Sequence, residues 1–185
     1  MKSLYILLFS FLALYLNAQD SLRTNFTFAA DASPFAFDGY SFKMGLIPKH
    51  IPKTEVSLEV FSMKIPNMTI NLNAENADKG WQENVNNCLA LYTDRKLGSN
   101  RSSFWGGIGF VHLNHTVSKN NEAYDFQQLE YLTRINYKWF PFKKSNFFIN
   151  PYIAIAGRQK ISGNNGDYAL SPFLVITSIY LSWKV

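Results

Sequence analysis

Three histidines, His50, His112 and His115, are the side chains of this sequence best suited to catalysis or metal binding. The run HLNH places His112 and His115 three residues apart. On a strand, residues at this spacing point to opposite faces, so the two imidazoles could not ligate one metal ion together. His115 with Ser118 is the only local His and Ser pair that could support nucleophilic chemistry. No metal, cofactor or catalytic residue is predicted from this group.

A second candidate group lies in the long polar segment 66–84, which holds Glu75, Asp78, Trp81 and Glu83. These residues would form a mixed acidic and aromatic surface on a loop. Loops commonly carry binding sites, so a ligand or partner is predicted to bind here if anywhere. A Trp in such a loop more often anchors the loop against the rest of the protein.

In the segments that position these residues, apolar and polar side chains alternate with a period of two residues. Between Gln128 and Phe140, apolar and aromatic side chains alternate with polar ones, and Leu132 breaks the rule. This alternation predicts a strand, because a helix would mix the two classes on every face. The pattern slips at Phe61, which suggests a bulge or a strand end, and the second face of the closing segment is mixed. Eight strands are predicted, near 22–31, 39–48, 54–65, 85–95, 103–117, 126–140, 147–161 and 172–185.

Strand length and loop length both indicate a membrane-spanning barrel. The predicted strands exceed the usual soluble length of about 5 to 6 residues and approach the 9 to 11 or so that cross a bilayer at a tilt. The breaks at 48–53, 96–102 and 141–146 are short, whereas those at 33–38, 66–84, 118–124 and 162–171 vary in length. An even strand number puts both termini on the side of the short turns, and the last strand beside the first.

Such a barrel has an interior that side chains fill, so the polar face of each strand is predicted to point inward. Charges in that space must pair or keep water. The predicted interior charges are Arg23, Lys43, Glu55, Glu59, Glu130, Arg134, Lys138 and Arg158. Aromatic residues at the short-turn edge are predicted to form an interfacial girdle: Trp105, Trp139, Phe147 and Trp183.

The amino terminus predicts that the chain is exported, and the composition limits its partners and its disulfides. Lys2, an apolar run from Leu4 to Leu16 and the small residue Ala18 predict a signal peptide at 1–18, followed by one barrel domain at 19–185. The formal net charge of +5 is mild and not clustered in sequence, so nucleic acid is not a predicted partner. A single cysteine, Cys88, excludes an intramolecular disulfide.

With these features the chain resembles the small eight-stranded outer-membrane β-barrels of Gram-negative bacteria, and Asn17-Ala18-Gln19 is similar to exported proteins of the Bacteroidetes. The resemblance implies an all-β, antiparallel, up-and-down transmembrane barrel preceded by a cleaved signal peptide. It also implies location in the outer membrane, with membrane lipid, the barrel-assembly machinery and a larger outer-membrane complex as candidate partners. Such proteins commonly end in Phe, which the assembly machinery reads, whereas this chain ends in Val185 with Trp183 two residues earlier.

The leading interpretation is a non-enzymatic outer-membrane barrel with a structural, accessory or loop-mediated binding role. A soluble exported barrel of the lipocalin kind would hold a lipid inside and reverse the two faces of every strand. A small pore is a further alternative. A lipid-modifying barrel enzyme would need His112 or His115 beside a Ser and an acid, and the His-x-Ser-Asn run of the lipid A deacylase barrels is absent.

Overall fold

The computed structural model describes residues 24–185, which form one closed ring of eight antiparallel strands in chain order. The predicted signal peptide, residues 1–18, and Arg23 lie outside the described residues. Strand β8 closes the ring on β1 through a register that runs from Asp31 opposite Tyr180 to Thr27 opposite Lys184. The strands are β1 (Asn25–Asp31), β2 (Tyr40–Ile47), β3 (Thr54–Ile65), β4 (Gln82–Lys96), β5 (Ser103–Lys119), β6 (Glu122–Lys138), β7 (Phe147–Gly163) and β8 (Phe173–Lys184).

The connections divide the barrel into two ends. Short turns at 48–53, 97–102 and 139–146 lie at one end, called here the turn end. Helix α1 (Ala32–Ala36), the segment 66–81 with helix α2 (Asn67–Ile70) and the segment 164–172 lie at the other, called the loop end. No helix among residues 24–185 is long and apolar enough to cross a membrane.

One predicted loop, 118–124, is instead a tight hairpin turn. Asn120 and Asn121 join β5 to β6 with φ values of +52° and +67°. Two successive left-handed residues fit the twist of the flanking strands, and Asn adopts this conformation more readily than most residues. Strands β5 and β6 therefore reach 17 residues each and extend the wall on their side of the loop end.

Strand β4 contains a bulge opposite the position where the sequence pattern slips. Between the pairs Phe61 with Cys88 and Met63 with Val85, β4 advances by one residue more than β3. The pairing of β4 with β5 shifts over the same stretch, so the extra residue belongs to β4. The bulge reverses which residues of β4 face inward: Val85 is buried before it, and Cys88 after it.

The barrel wall is uneven at the loop end. Strands β1 and β2 have only 7 and 8 residues, whereas β7 has 17. Because β1 ends at Asp31, opposite Tyr180, residues 173–179 of β8 have no β1 partner. On the other side of the gap, β2 begins opposite Ser62, so residues 63–65 of β3 pair with β4 alone. Helix α1 covers this gap, called here the notch, and the Lys64 amide donates to the Phe37 carbonyl at 2.9 Å.

The outer surface carries a continuous apolar belt. Ile108, Ile135, Ile155 and Val175, from four successive strands, are each between 53% and 62% exposed. Along β6 the belt runs for about ten residue steps, which at about 3.3 Å per residue and a tilt of about 40° gives a height of roughly 25 Å. An apolar band of this height matches the hydrocarbon layer that transmembrane barrels face.

Above the belt, towards the loop end, the outer surface becomes polar. Asn86 donates to the Thr116 hydroxyl at 2.9 Å, and that hydroxyl donates to Asp125 at 2.6 Å. Gln127 donates to the Asn114 side-chain oxygen at 3.0 Å. These hydrogen bonds connect neighbouring strands on the outside of the wall. They indicate that the longer strands continue beyond the apolar belt into water.

Candidate functional site

The inward side chains nearest the turn end form an ion cluster around Glu55. Lys138, from β6, donates to the Glu55 carboxylate, and Lys43 Nζ lies 3.8 Å from its other oxygen. Lys138 Nζ also lies 3.7 Å from the centre of the Trp105 ring. All four residues are at most 5% exposed. One carboxylate thus holds two ammonium groups from different strands, and an aromatic face adds a cation–π contact.

A second ion pair lies above this cluster. Arg134 binds Asp94 with both ends of its guanidinium group, through an Nε to Oδ1 distance of 2.9 Å and an Nη2 to Oδ2 distance of 2.5 Å. Asn136 donates to Asp94 Oδ1 at 3.1 Å. The guanidinium carbon lies 3.8 Å from the centre of the Tyr92 ring. This geometry is the strongest form of an arginine–carboxylate contact, and it fixes β6 to β4 inside the barrel.

Glu59 and Tyr180 connect the opposite walls. The Tyr180 hydroxyl donates to Glu59 at 2.7 Å, and Ser41 donates to the other carboxylate oxygen at 2.7 Å. Lys43 Nζ lies 4.6 Å from the centre of the Tyr180 ring. Together with the two ion clusters, these contacts extend from β2 and β3 to β6 and β8. The result is called here the charged layer, and each of its side chains is at most 5% exposed.

The structure places every predicted interior charge among its described residues inside the barrel. Glu130 and Arg158 lie nearer the loop end, with Arg158 Nε 2.9 Å from Glu130 Oε1. The sequence did not single out Asp94 as an interior charge, although it is 1% exposed. The signal that could have found it is the alternation from Cys88 to Asp94, which becomes regular once the bulge is placed before it. The predicted interior charges that the structure describes are Lys43, Glu55, Glu59, Glu130, Arg134, Lys138 and Arg158, and Asp94 joins them.

At the loop end a polar cluster anchors two loops to the barrel. His115 Nδ1 lies 2.7 Å from Glu83 Oε1, and the Tyr168 hydroxyl donates to Glu83 Oε2 at 2.7 Å. Trp81 packs edge-on against Tyr168 with 5.4 Å between ring centres, and it is 5% exposed. Burial, and the neighbouring Glu83 carboxylate, raise the pKa of Tyr168. Segments 66–81 and 164–172 are therefore held at this end by shared packing and hydrogen bonds.

The predicted loop surface of Glu75, Asp78, Trp81 and Glu83 is not assembled as one surface. Glu75 and Asp78 are exposed on the 66–81 segment. Glu83 was placed in the loop, but it lies on β4 and is 4% exposed. Because β4 begins at Gln82, three residues earlier than predicted, Glu83 points into the barrel. Trp81 is the anchor of the loop that carries the two exposed acids.

The predicted aromatic girdle is divided between the two faces of the wall. Trp139 and Trp183 are 48% and 51% exposed on the outer surface, and Phe147 packs beside Trp183 with 6.2 Å between ring centres. Trp105 does not belong to this group. It occupies an inward position of β5 and is 5% exposed, because its ring packs against Lys138.

The histidines do not form a catalytic group. His115 is 1% exposed and points inward, whereas His112 and Ser118 occupy the outer face of β5. His115 and Ser118 therefore lie on opposite sides of the wall. Within residues 24–185, no three His, Cys, Asp or Glu side chains are placed to hold a metal ion.

The turn end is positively charged. Its three turns carry basic residues and no Asp or Glu. Arg101 joins two of the turns by donating to the carbonyls of Lys143 and Ser145. The sequence showed these charges as scattered, and only the fold brings them to one rim. The basic residues of the turns are Lys49, Lys53, Arg101, Lys143 and Lys144, with Lys96 at the end of β4.

Two solved structures share this architecture. The N-terminal β-barrel domain of Pseudomonas aeruginosa OprF aligns with a TM-score of 0.54 and 11% identity, covering 89% of this chain and 100% of that chain. A major outer membrane protein from Thermus thermophilus aligns with a TM-score of 0.52 and 10% identity, covering 88% of this chain and 100% of that chain. No family model and no curated protein matches the sequence. The predicted fold, an all-β barrel of eight antiparallel up-and-down strands, is confirmed.

Proposed function

We propose that this chain spans the outer membrane as a non-enzymatic barrel with a structural role and a closed interior. The single observation that carries the proposal is the division of the wall into an apolar outer belt and a paired, charged interior. Ile155 on the outside is 58% exposed, while Arg134 on the inside is 4% exposed and bound to Asp94. In a barrel of the lipocalin kind the two faces would be reversed.

Energetics support the same orientation. Exposed Ile, Val and Phe side chains around the belt would each cost about 1.5–3 kcal/mol in water relative to an apolar environment. Each of these interior charges has an ion-pair or hydrogen-bond partner inside the barrel, which offsets the cost of its burial. One of the two similar structures is a major outer membrane protein, which agrees with this location. Membrane lipid and the assembly machinery are the partners that the proposal requires, and the Bacteroidetes source stays a prediction.

The experiment combines location with conductance. The protein should need detergent for extraction from cell envelopes, and its gel mobility should shift on heating. In planar bilayers the wild-type protein should give no steady current, because the charged layer fills the bore. Lys138→Ala should raise the current, since it removes the residue that joins Glu55 to Trp105. Free solubility in the periplasm would refute the location, and a steady wild-type current would favour the pore alternative.

In the proposed location, the basic turn end would contact the headgroups of anionic lipids. Lys143 and Lys144 follow the exposed aromatic residues Trp139 and Phe142 of the same turn, which in the proposed location would place them near the lipid phosphates. Each Lys near an anionic lipid surface contributes about 1 kcal/mol of attraction. A Lys143→Gln and Lys144→Gln double variant should lose thermal stability in vesicles of anionic lipid and keep it in zwitterionic vesicles. Equal losses in both lipids would contradict this contact.

A further inference from the structure

A cavity of about 320 Å³ lies between the charged layer and the loops that cover the loop end. Its floor includes Tyr92 and Arg134, and α1 and α2 contribute to its roof. Its lining is mostly apolar, although charged side chains from the barrel interior also reach it: the apolar residues are Met63, Val85, Val111, Leu113, Leu132 and Ile176, and the charged ones besides Arg134 are Asp31, Glu59, Glu130 and Arg158. These inward apolar residues include Leu132, which broke the alternation in the sequence, and part of the mixed face of β8.

The size and chemistry of the cavity suit a hydrocarbon chain. An apolar cavity of about 150 Å³ stays free of water and holds a benzene molecule, so this one has room for roughly ten to twelve carbon atoms. Two inward positions of β7, Ala154 and Ala156, are small and pack in the same apolar cluster as Val111. In other small barrels larger side chains would fill this interior. Water would find few partners along the apolar walls, and the charged side chains of the lining already have partners in the protein.

The cavity extends to the outer surface of the barrel through the notch. Val175 and Thr177 line it, although both belong to the outward face of β8. They lie on the part of β8 that has no β1 partner. Helix α1 is attached there by a contact of 2.5 Å between the hydroxyl oxygens of Ser33 and Ser178. Its Phe35 is 58% exposed, so the helix itself presents an apolar side chain outward.

We propose that this cavity binds one acyl chain, which passes sideways from the membrane through the notch, beneath α1. The inference rests on the proposed membrane location, because only there does the notch face hydrocarbon. The lipid headgroup stays outside the wall and the chain lies over the charged layer. The apolar walls supply the binding energy, and the missing strand partners of β8 supply the opening.

The experiment uses the full barrel in bilayers that contain a phospholipid with a photoreactive diazirine at the middle of one acyl chain. Labelled residues are identified by mass spectrometry of peptides. Outward Ile108 should be labelled in every folded, inserted sample, while inward Val111 and Leu113 should be labelled only if a chain enters. A free fatty acid with the same diazirine is the second probe, and it separates a lipid chain from a free amphiphile.

Two variants test the cavity and the route. Val111→Phe fills the cavity and should abolish inward labelling, whereas Ile108→Phe, on the outer face of the same strand, should leave it unchanged. A Ser33→Cys and Ser178→Cys pair, in a Cys88→Ser background, fixes α1 to β8 when oxidised. Oxidation should suppress inward labelling by the phospholipid, and reduction should restore it.

The outcomes separate the two proposals. Labelling of Ile108 without any inward labelling by either probe would overturn the acyl-chain site and leave the membrane location intact. Inward labelling by the fatty acid alone would support the cavity and overturn passage of a lipid chain through the wall. Unchanged labelling after oxidation of the cysteine pair would also overturn the sideways route. Loss of outward labelling in the wild-type protein would refute the proposed function itself.

Discussion

Breaking the Arg134–Asp94 pair should cost far more stability than removing it as a unit. Arg134→Met leaves a carboxylate that is 1% exposed with Asn136 as its remaining hydrogen-bond donor. Removing one partner of such a pair costs about 3–5 kcal/mol, because the other charge stays buried without compensation. Asp94→Asn should cost a similar amount. The double variant leaves no uncompensated charge at this position, so it should lose about 3 kcal/mol less than the sum of the two single variants.

The measurement is urea unfolding of the barrel in lipid vesicles, followed by tryptophan fluorescence. The free energy of unfolding is compared across the wild type, both single variants and the double variant. Arg95→Met is the matched control, since Arg95 follows Asp94 on β4 and is exposed on the other face. It should change the free energy by no more than about 0.5 kcal/mol. A loss below about 1 kcal/mol for Arg134→Met, or strict additivity in the double variant, would refute the reasoning.

The remaining predictions concern three other parts of the molecule. Quenching of tryptophan fluorescence by brominated lipid should fall in Trp183→Phe and stay unchanged in Trp105→Phe; equal falls would place Trp105 on the lipid face. Gly107→Ala should lower the unfolding free energy by about 1–3 kcal/mol, because its Cβ would lie 2.1 Å from a carboxylate oxygen, while Gly106→Ala meets nothing within 3.4 Å and should be tolerated. The folded-state pKa of Tyr168 is raised, so its contribution to stability is present below the ordinary tyrosine pKa of about 10 and is lost as the pH rises through the folded value. Unfolding midpoints measured above about pH 10 should therefore fall less in Tyr168→Phe than in the wild type.

Strand alternation was sufficient to predict the architecture, because each wall residue faces either lipid or the interior. It located all eight strands and the inward charges from Lys43 to Arg158. It gave the wrong position for a residue whose type suits both the outer surface and the interior. Trp105 looked like an interfacial aromatic residue at a strand end, but its position on β5 directs it to Lys138. An aromatic ring suits both a membrane interface and a cation, and only the strand's exact phase decides between them.

The cavity was hidden for a related reason. Leu132 and the mixed face of β8 stood out as exceptions to a polar interior. The pattern of one strand does not show which of these apolar residues contact one another. The ring brings them together with Val85 from the bulged part of β4. The positive turn end was equally invisible, since its lysines are distant in sequence. Both features depend on contacts between segments that lie far apart along the chain.

The bulge in β4 also limits how the length of this protein can vary. Glu83 and Asp94 both point inward although their separation is odd, which a regular strand does not permit. Deleting the extra residue of the bulge, near Asn87, would give a regular strand that keeps Glu83 and Asp94 on the same face. A single deletion between Cys88 and Asp94 that leaves the bulge in place would instead turn Asp94 to the outer face. Insertions in the 66–81 segment have no such effect, because that segment is not a strand and has no alternation of inward and outward residues to preserve. The loops of this barrel can therefore change length freely, whereas in β4 a single-residue deletion is compatible with the inward charges only at the bulge.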